Sequence, residues 1–557
     1  MTSGSRTLVV GLDAACWQYL DPLLEAERLP NLSRLIRRGV HGSLRSTMPP
    51  ITPVAWSSLV TGVNPGKHGV FEWVRRRAGH YDSVPVSAND RVGTPVWTRL
   101  SAAGVRLGVV NVPLTYPVQP VDGFLLCGFS TPASARSLAY PPELLTEIER
   151  CFGPYRPTVE VDPDGHDPWV LYAAERDHQK RTVEIAATLA RRHDVQVLML
   201  NLMLLDHANH TMPTMDLVEQ AMVDTDTDLG WLMAEFTPDN VIAVSDHGSR
   251  RVKGVFLLGA WLAEQGFLAR KARPASQRSE VINYLLLQWL GGGSGLPARA
   301  VRLLLRCGLT RLPASLVSPI WAAIKRDVPL ASMQIETTNS FAPEATRIFP
   351  VGTNRASFRL NMVNREPNGI VCQDKRETVL LELSEALQGI CDPDTGEPIF
   401  SALHRAEDLY TGPFAKNAPD LIADYYQSNW SMLSNMPGLY RRPWRYFSTE
   451  ERWYGDHGRD GIFVFAGREF GRDPGRYQAD LLDIPATLLY LYNVPQPDDY
   501  DGCPLQQTIA SSERTVRYQV GDARQQQGTD FSYSEEEEQE VLRRLRQLGY
   551  VDGSPEP

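Results

Sequence analysis

The chain has 557 residues, a length that suits roughly two to four domains or one large α/β core carrying insertions. Its 43% hydrophobic and 22% charged residues are ordinary for a globular protein. With 56 Lys plus Arg against 66 Asp plus Glu, the net charge of −10 excludes an overall attraction to nucleic acid or anionic lipid. An anionic substrate would need a local reversal of that field, of the kind bound metal cations provide.

The first element is RTLVVGLD, residues 6–13, a short β-branched run that reads as a buried strand of a parallel sheet. No long apolar h-region precedes it, so a cytoplasmic location is expected. Helical patterns follow at 29–39 (LPNLSRLIRRG) and 95–104 (PVWTRLSAAG), each stopped by glycine. Strand-like runs return at 107–113, 195–206, 240–248 and 461–467. Strands alternating with helices predict an α/β fold, an open, mostly parallel sheet with helices on both faces.

Residues 260–335 break this regularity. They are helical, amphipathic and locally basic, with a GGGSG break at 291–295, and are expected to form an inserted helical cap. The division is then 1–259 and 336–510 for the two parts of the core, 260–335 for the cap, and 511–557 for a polar linker and a C-terminal helix. In that last helix Ser534 and Glu537 fit a capping box, and Val541, Leu542, Leu545 and Leu548 form one apolar face. Seven cysteines (Cys16, Cys127, Cys151, Cys307, Cys372, Cys391, Cys503) are scattered without a CxxC pair and are expected as reduced, mostly buried thiols. No apolar run reaches the roughly 20 residues of a membrane span.

Three strand ends finish in metal-ligand residue types: Asp13, Asp206 and Asp246-His247. In open α/β sheets ligands gather outside the carboxyl ends of strands, so these positions can converge. Asp206 and His210, in DHANH, are spaced i and i+4 and share one face of a helical turn. His457 lies between glycines in GDHGRDG, just before a strand. Mixed Asp/His sets without cysteine suit divalent metals; zinc is the expected ion and manganese the alternative. Thr52, in PPITPVAWSSLVTG, stands where a helix begins, with Pro53 at its first turn and Gly62 after its end. Its hydroxyl there is either a helix cap or, with a metal to lower its pKa, a nucleophile facing a phosphate-binding helix terminus.

Asp13, the Pro49-Pro50-Ile51-Thr52-Pro53 run, Thr61-Gly62, the Pro65-Gly66-Lys67-His68-Gly69 run, Asp206/His210, Ser245-Asp246-His247-Gly248 and Gly455/His457-Gly458 occur in an order and spacing that resembles the type I phosphodiesterase/nucleotide pyrophosphatase family of the alkaline phosphatase superfamily. NMVNREPNGIV (361–371), DPDTGEP (392–398) and APDLI (418–422) are similar to a bacterial branch described as predicted phosphohydrolases or phosphomutases. The resemblance covers roughly residues 5–260 and 335–505. It implies an alkaline-phosphatase-like sheet, one metal held by Asp13, Asp246, His247 and Thr52, and a second held by Asp206, His210 and His457. It further implies Thr52 as nucleophile, hydrolysis through a phosphothreonine intermediate, and a small phosphate ester or nucleotide as substrate.

Departures from the family pattern remain. Where nucleotide pyrophosphatases commonly carry an Asn, this chain has Phe71-Glu72-Trp73. Lys67, Arg250, Arg251 and Lys253, near the ligands in sequence, are candidates for the missing donor, with a solvated surface charge as the alternative for each, and Trp73 offers a ring for a base to stack on; Lys67, Trp73 and Arg251 are carried forward as substrate-binding candidates. A sulfatase needs Cys or Ser within CxPxR, which Thr52-Pro53-Val54-Ala55-Trp56 lacks. A phosphomonoesterase or phosphomutase on the same site is the runner-up, followed by an inactive binding protein.

Overall fold

The computed structural model describes residues 5–77, 79–159, 167–212, 214–269, 341–352, 355–434, 446–510, 514–521 and 531–551. The cap expected at 260–335 lies outside the described residues from 270 onward, as do much of the 511–532 linker and Cys307.

A nine-stranded sheet forms the centre, in the order Arg476–Asp480, Gly39–Arg45, Asp460–Gly467, Asn240–Val244, Thr7–Leu12, Val197–Leu202, Leu107–Val112, Gly123–Cys127, Ala139–Tyr140. Thr7–Leu12 runs parallel to both neighbours, pairing Gly11 with Asn201 and with Val244. This register brings the ends of three central strands, and the residues that follow them, to one edge of the sheet. The strands are apolar on both faces because helices cover both: Thr7–Leu12, Leu107–Val112, Val197–Leu202 and Asn240–Val244 are buried at every residue.

The apolar run at 461–467 is a strand, but it runs antiparallel to Gly39–Arg45 and Asn240–Val244 rather than parallel as its pattern suggested. A fully buried apolar run carries no information about direction. The thiol expectation is also corrected: Cys16 and Cys127 are buried, whereas Cys151, Cys372, Cys391 and Cys503 are exposed, and all of these are free.

A second core, built on a four-stranded sheet (Ile348–Pro350, Ser357–Leu360, Leu421–Asp424, Ala402–Arg405) and the helix Arg376–Gln388, is centred on Phe358, Leu380, Leu383 and Ile422. A three-stranded sheet, in the order Trp430–Met432, Gly248–Phe256, Phe447–Gly458, contributes Phe256, Trp430 and Met432 to this second core. The C-terminal helix Glu535–Gln547 opens on the Ser534/Glu537 capping box. Val541, Leu545 and Leu548 bury against Val70, Trp73, Phe129 and Met203 in a third cluster. Glu537 accepts from the Tyr116 hydroxyl and Glu538 pairs with Arg77, fixing the helix to the body of the protein. No helix among the described residues is long and apolar enough to cross a membrane.

Candidate active site

Asp13 follows directly from the first strand, its N–H still bonding the Leu202 carbonyl. Its Oδ2 accepts from Asn201 Nδ2 at 2.7 Å and Trp56 Nε1 at 3.4 Å, leaving Oδ1 3.5 Å from His247 Nε2. Asp246 and His247 follow just after the Asn240–Val244 strand, which runs parallel to Thr7–Leu12, and Asp246 Oδ2 lies 3.5 Å from the same Nε2. His247 Nδ1 is 3.1 Å from the Gly248 carbonyl. An Nδ1–H donor there fixes the tautomer and leaves the Nε2 lone pair facing the carboxylates. Thr52, fully buried, opens the helix Thr52–Thr61; Ile51 holds the cap position and makes no side-chain cap bond. The Thr52 hydroxyl instead donates to His247 Nε2 at 3.2 Å. Capping is therefore not what holds it.

Asp206 and His210 lie one turn apart on the helix Leu204–Thr211, with Asp206 Oδ1 3.4 Å from His210 Nε2. His457 arrives on the Phe447–Gly458 strand, opposite Ser249. Its ring centroid is 4.6 Å from that of His210 and 4.5 Å from that of His247, so it bridges the two sets. Among the described residues, Asp13/Asp246/His247 and Asp206/His210/His457 each bring three ligand atoms within 4.8 Å of one another.

The electrostatics of this space are those of crowded anions. Burial, then the charges of Asp13 and Asp206, holds the Asp246 carboxyl well above its ordinary range. Burial and Asp206 also push Asp13 up. Burial would raise Asp206 too, but His210, His247 and His457 draw it down. Burial, then His247 and Arg355, keeps His457 neutral by pushing its imidazole down. Asp13 Oδ1, Asp206 Oδ1, both oxygens of Asp246, His210 Nε2 and His457 Nε2 are buried without a hydrogen bond. Each such atom costs about 1–3 kcal/mol if nothing compensates it. Converging oxygen and imidazole donors of this kind fit divalent cations.

The substrate-binding candidates fare differently. Lys67 Nζ is tied to Asp501 Oδ1 at 2.5 Å and the Asp499 carbonyl at 2.8 Å. Trp73 is 1% exposed, packed between Phe129 and Tyr550, so its ring offers no face to a base. Arg251 is exposed and lines a cleft of about 810 Å³ with Cys16, Trp17, Tyr426 and Arg459, a cleft lined by none of the seven converging residues. Arg250 donates to the His457, Ser428 and Trp430 carbonyls and to Asp456 Oδ2, and Lys253 pairs with Asp392 and Asp394. Glu72 is buried, and burial lifts its carboxyl to about 7 against the lowering influence of Arg355.

Several residues escaped the sequence reading. Asn201 and Trp56 orient Asp13, and Asp456, held by Arg250, braces His457 through its own Oδ1. Tyr550 donates to Asp206 Oδ2. Its only sequence signal is the Leu548-Gly549-Tyr550 ending, a glycine stop followed by an aromatic.

The protein is thus an α/β fold whose open, mostly parallel sheet, flanked by helices, gathers two Asp/His triads and a buried hydroxyl near its strand ends. The chain belongs to the type I phosphodiesterase / nucleotide pyrophosphatase family, whose model matches residues 7–460. It is a phosphoryl hydrolase of a metal-dependent family. Human ectonucleotide pyrophosphatase / phosphodiesterase 5 is a similar solved structure, with 14% identity, a TM-score of 0.48, and coverage of 91% of this chain and 100% of that one. Phosphonoacetate hydrolase from Sinorhizobium meliloti 1021, in complex with phosphonoacetate, is 13% identical with a TM-score of 0.49, covering 86% of this chain and 94% of that one. Comparison with curated proteins finds no match.

Proposed function

We propose that the enzyme hydrolyses phosphodiester or pyrophosphate bonds through a covalent intermediate on Thr52, with two divalent metals, zinc or manganese, as cofactors. Asp13, Asp246, His247 and Thr52 would hold one ion, and Asp206, His210 and His457 the other. Cations held there would lower the Thr52 hydroxyl pKa and neutralise charge on the phosphorus oxygens. The observation that carries the reading is the Thr52 hydroxyl, 3.2 Å from His247 Nε2 and free of any capping duty.

Thr52 Oγ forms the new bond to phosphorus as the bond to the leaving oxygen breaks, and the leaving group departs with a proton. Water then attacks the same phosphorus, breaks the Oγ–P bond and restores the hydroxyl. The N-terminus of Thr52–Thr61 presents its partial positive charge to the phosphoryl group throughout. A diester, with one negative charge, suits this site better than a dianionic monoester. Of the cations close in sequence to the ligands, Lys67, Arg250 and Lys253 are paired with Asp501, Asp456, and Asp392 and Asp394.

Rapid quench of the metal-loaded enzyme with bis-p-nitrophenyl phosphate, followed by peptide mass analysis, tests the reading. A phosphoryl adduct on the peptide containing Thr52, absent in Thr52→Ala, is expected; turnover with the adduct on another residue would overturn it.

A further inference from the structure

The helix Glu535–Gln547 does more than cover an apolar patch. Gly549, at φ +76° in the left-handed region, reverses the chain after the helix, and the next residue, Tyr550, is 1% exposed. Its ring sits 5.4 Å from Trp73 and 5.7 Å from Phe129, and meets the His210 ring at 5.2 Å with the planes 76° apart. Its hydroxyl donates to Asp206 Oδ2.

That bond divides the work of the Asp206 carboxylate. Oδ2 is taken by the phenol, while Oδ1 is buried, makes no hydrogen bond and lies 3.4 Å from His210 Nε2. The same helix braces the neighbouring residue. Arg544 donates to Glu175 Oε1 at 3.1 Å, and Glu175 Oε2 lies 2.8 Å from His207 Nδ1. Both contacts converge on the Asp206-His207 pair from a segment more than 300 residues away in sequence.

We infer that Tyr550 is a positioning residue of the active site, and that the C-terminal segment completes the Asp206/His210/His457 half by holding Asp206 with Oδ1 turned toward the imidazoles. This rests on the reading of those three residues as ligands of one ion. A carboxylate left to rotate would present either oxygen or neither, so the phenol sets the affinity of that half-site and leaves the Asp13/Asp246/His247 half alone. Outer partners of metal ligands typically contribute about 10–100-fold in metal affinity.

The test is calorimetric titration of the metal-free full-length protein with Zn²⁺, and separately Mn²⁺, with no substrate present. Tyr550→Phe keeps the ring packing and removes only the hydroxyl. Its affinity for one ion is expected to fall about 10–100-fold, that ion being the one also lost in Asp206→Asn, with the other ion changed less than about threefold. Tyr116→Phe, which removes a different hydroxyl anchor of the same helix, is expected to bind both ions as wild type does. A chain ending at Gln547 should match or exceed the Tyr550→Phe loss. Wild-type affinities in Tyr550→Phe, equal losses in Tyr550→Phe and Tyr116→Phe, or turnover that rises on truncation would each overturn the inference. Failure of wild type itself to bind a second ion would instead remove the two-ion reading beneath it.

Discussion

Replacing Thr52 by alanine separates stability from chemistry. In the structure the Thr52 hydroxyl makes its described bond to His247 and caps no helix, so its removal costs about 1 kcal/mol for the hydrogen bond and about as much for the lost methyl group. A loss of that size lowers the melting temperature by only a few degrees. If Thr52 Oγ is the atom that bonds phosphorus, turnover falls ~10³-fold or more, equivalent to ~4 kcal/mol of transition-state stabilisation. Thr52→Ser restores the hydroxyl and should retain measurable activity. The measurements are kcat/KM on bis-p-nitrophenyl phosphate, metal content by mass spectrometry and a thermal melt on the same samples. Turnover by Thr52→Ala within tenfold of wild type, with contaminating phosphatase excluded, would refute the nucleophile.

The enzyme should prefer diesters: kcat/KM for matched p-nitrophenyl substrates should favour the diester, and a tenfold monoester preference, about 1.4 kcal/mol, would favour a phosphatase or mutase instead. Dialysis against a chelator should abolish activity and lower the melting temperature, because Asp13, Asp206 and Asp246 then face one another uncompensated; zinc or manganese should restore both, and full activity at zero metal content would contradict the site. Burial lifts Glu72 from 4.5 to about 7, so its contribution is fully present below pH 4.5 and is lost as pH rises through 7. Glu72→Gln should therefore gain stability relative to wild type between pH 4.5 and 8, by up to ~3 kcal/mol, in urea melts; parallel curves at the two pH values would argue against a protonated Glu72.

The convergence of Asp13, Asp206, His210, Asp246 and His247 was legible because a parallel sheet delivers strand ends to one edge, and because i, i+4 spacing fixes a helical face without help from the rest of the fold; His457 stood out by its residue type and flanking glycines, and arrives on a strand of a separate sheet paired antiparallel with Gly248–Phe256. Thr52 was legible as a helix-start residue, but only the tertiary structure shows that its hydroxyl turns to His247 and does not cap the helix. What escaped depends on partners distant in sequence. Trp73 reads as an available aromatic until the C-terminal helix buries it, and Lys67 as a free cation until Asp501 takes it. The direction of Asp460–Gly467 was hidden because apolar runs look alike in either sense.

The strand Asp460–Gly467 sits between Gly39–Arg45 and Asn240–Val244, two strands synthesised far earlier. On the ribosome, at roughly 5–20 residues per second, Gly39–Arg45 and the facing edge of Asn240–Val244 wait tens of seconds for it. Through that interval the nascent chain carries two unpaired inner edges, each a template for another chain. Expression at low temperature slows that filling as well as aggregation, so chaperone supply, more than buffer or salt, should govern the yield of folded enzyme. A library that varies residues 460–467 would then alter recovery from cells before it altered catalysis.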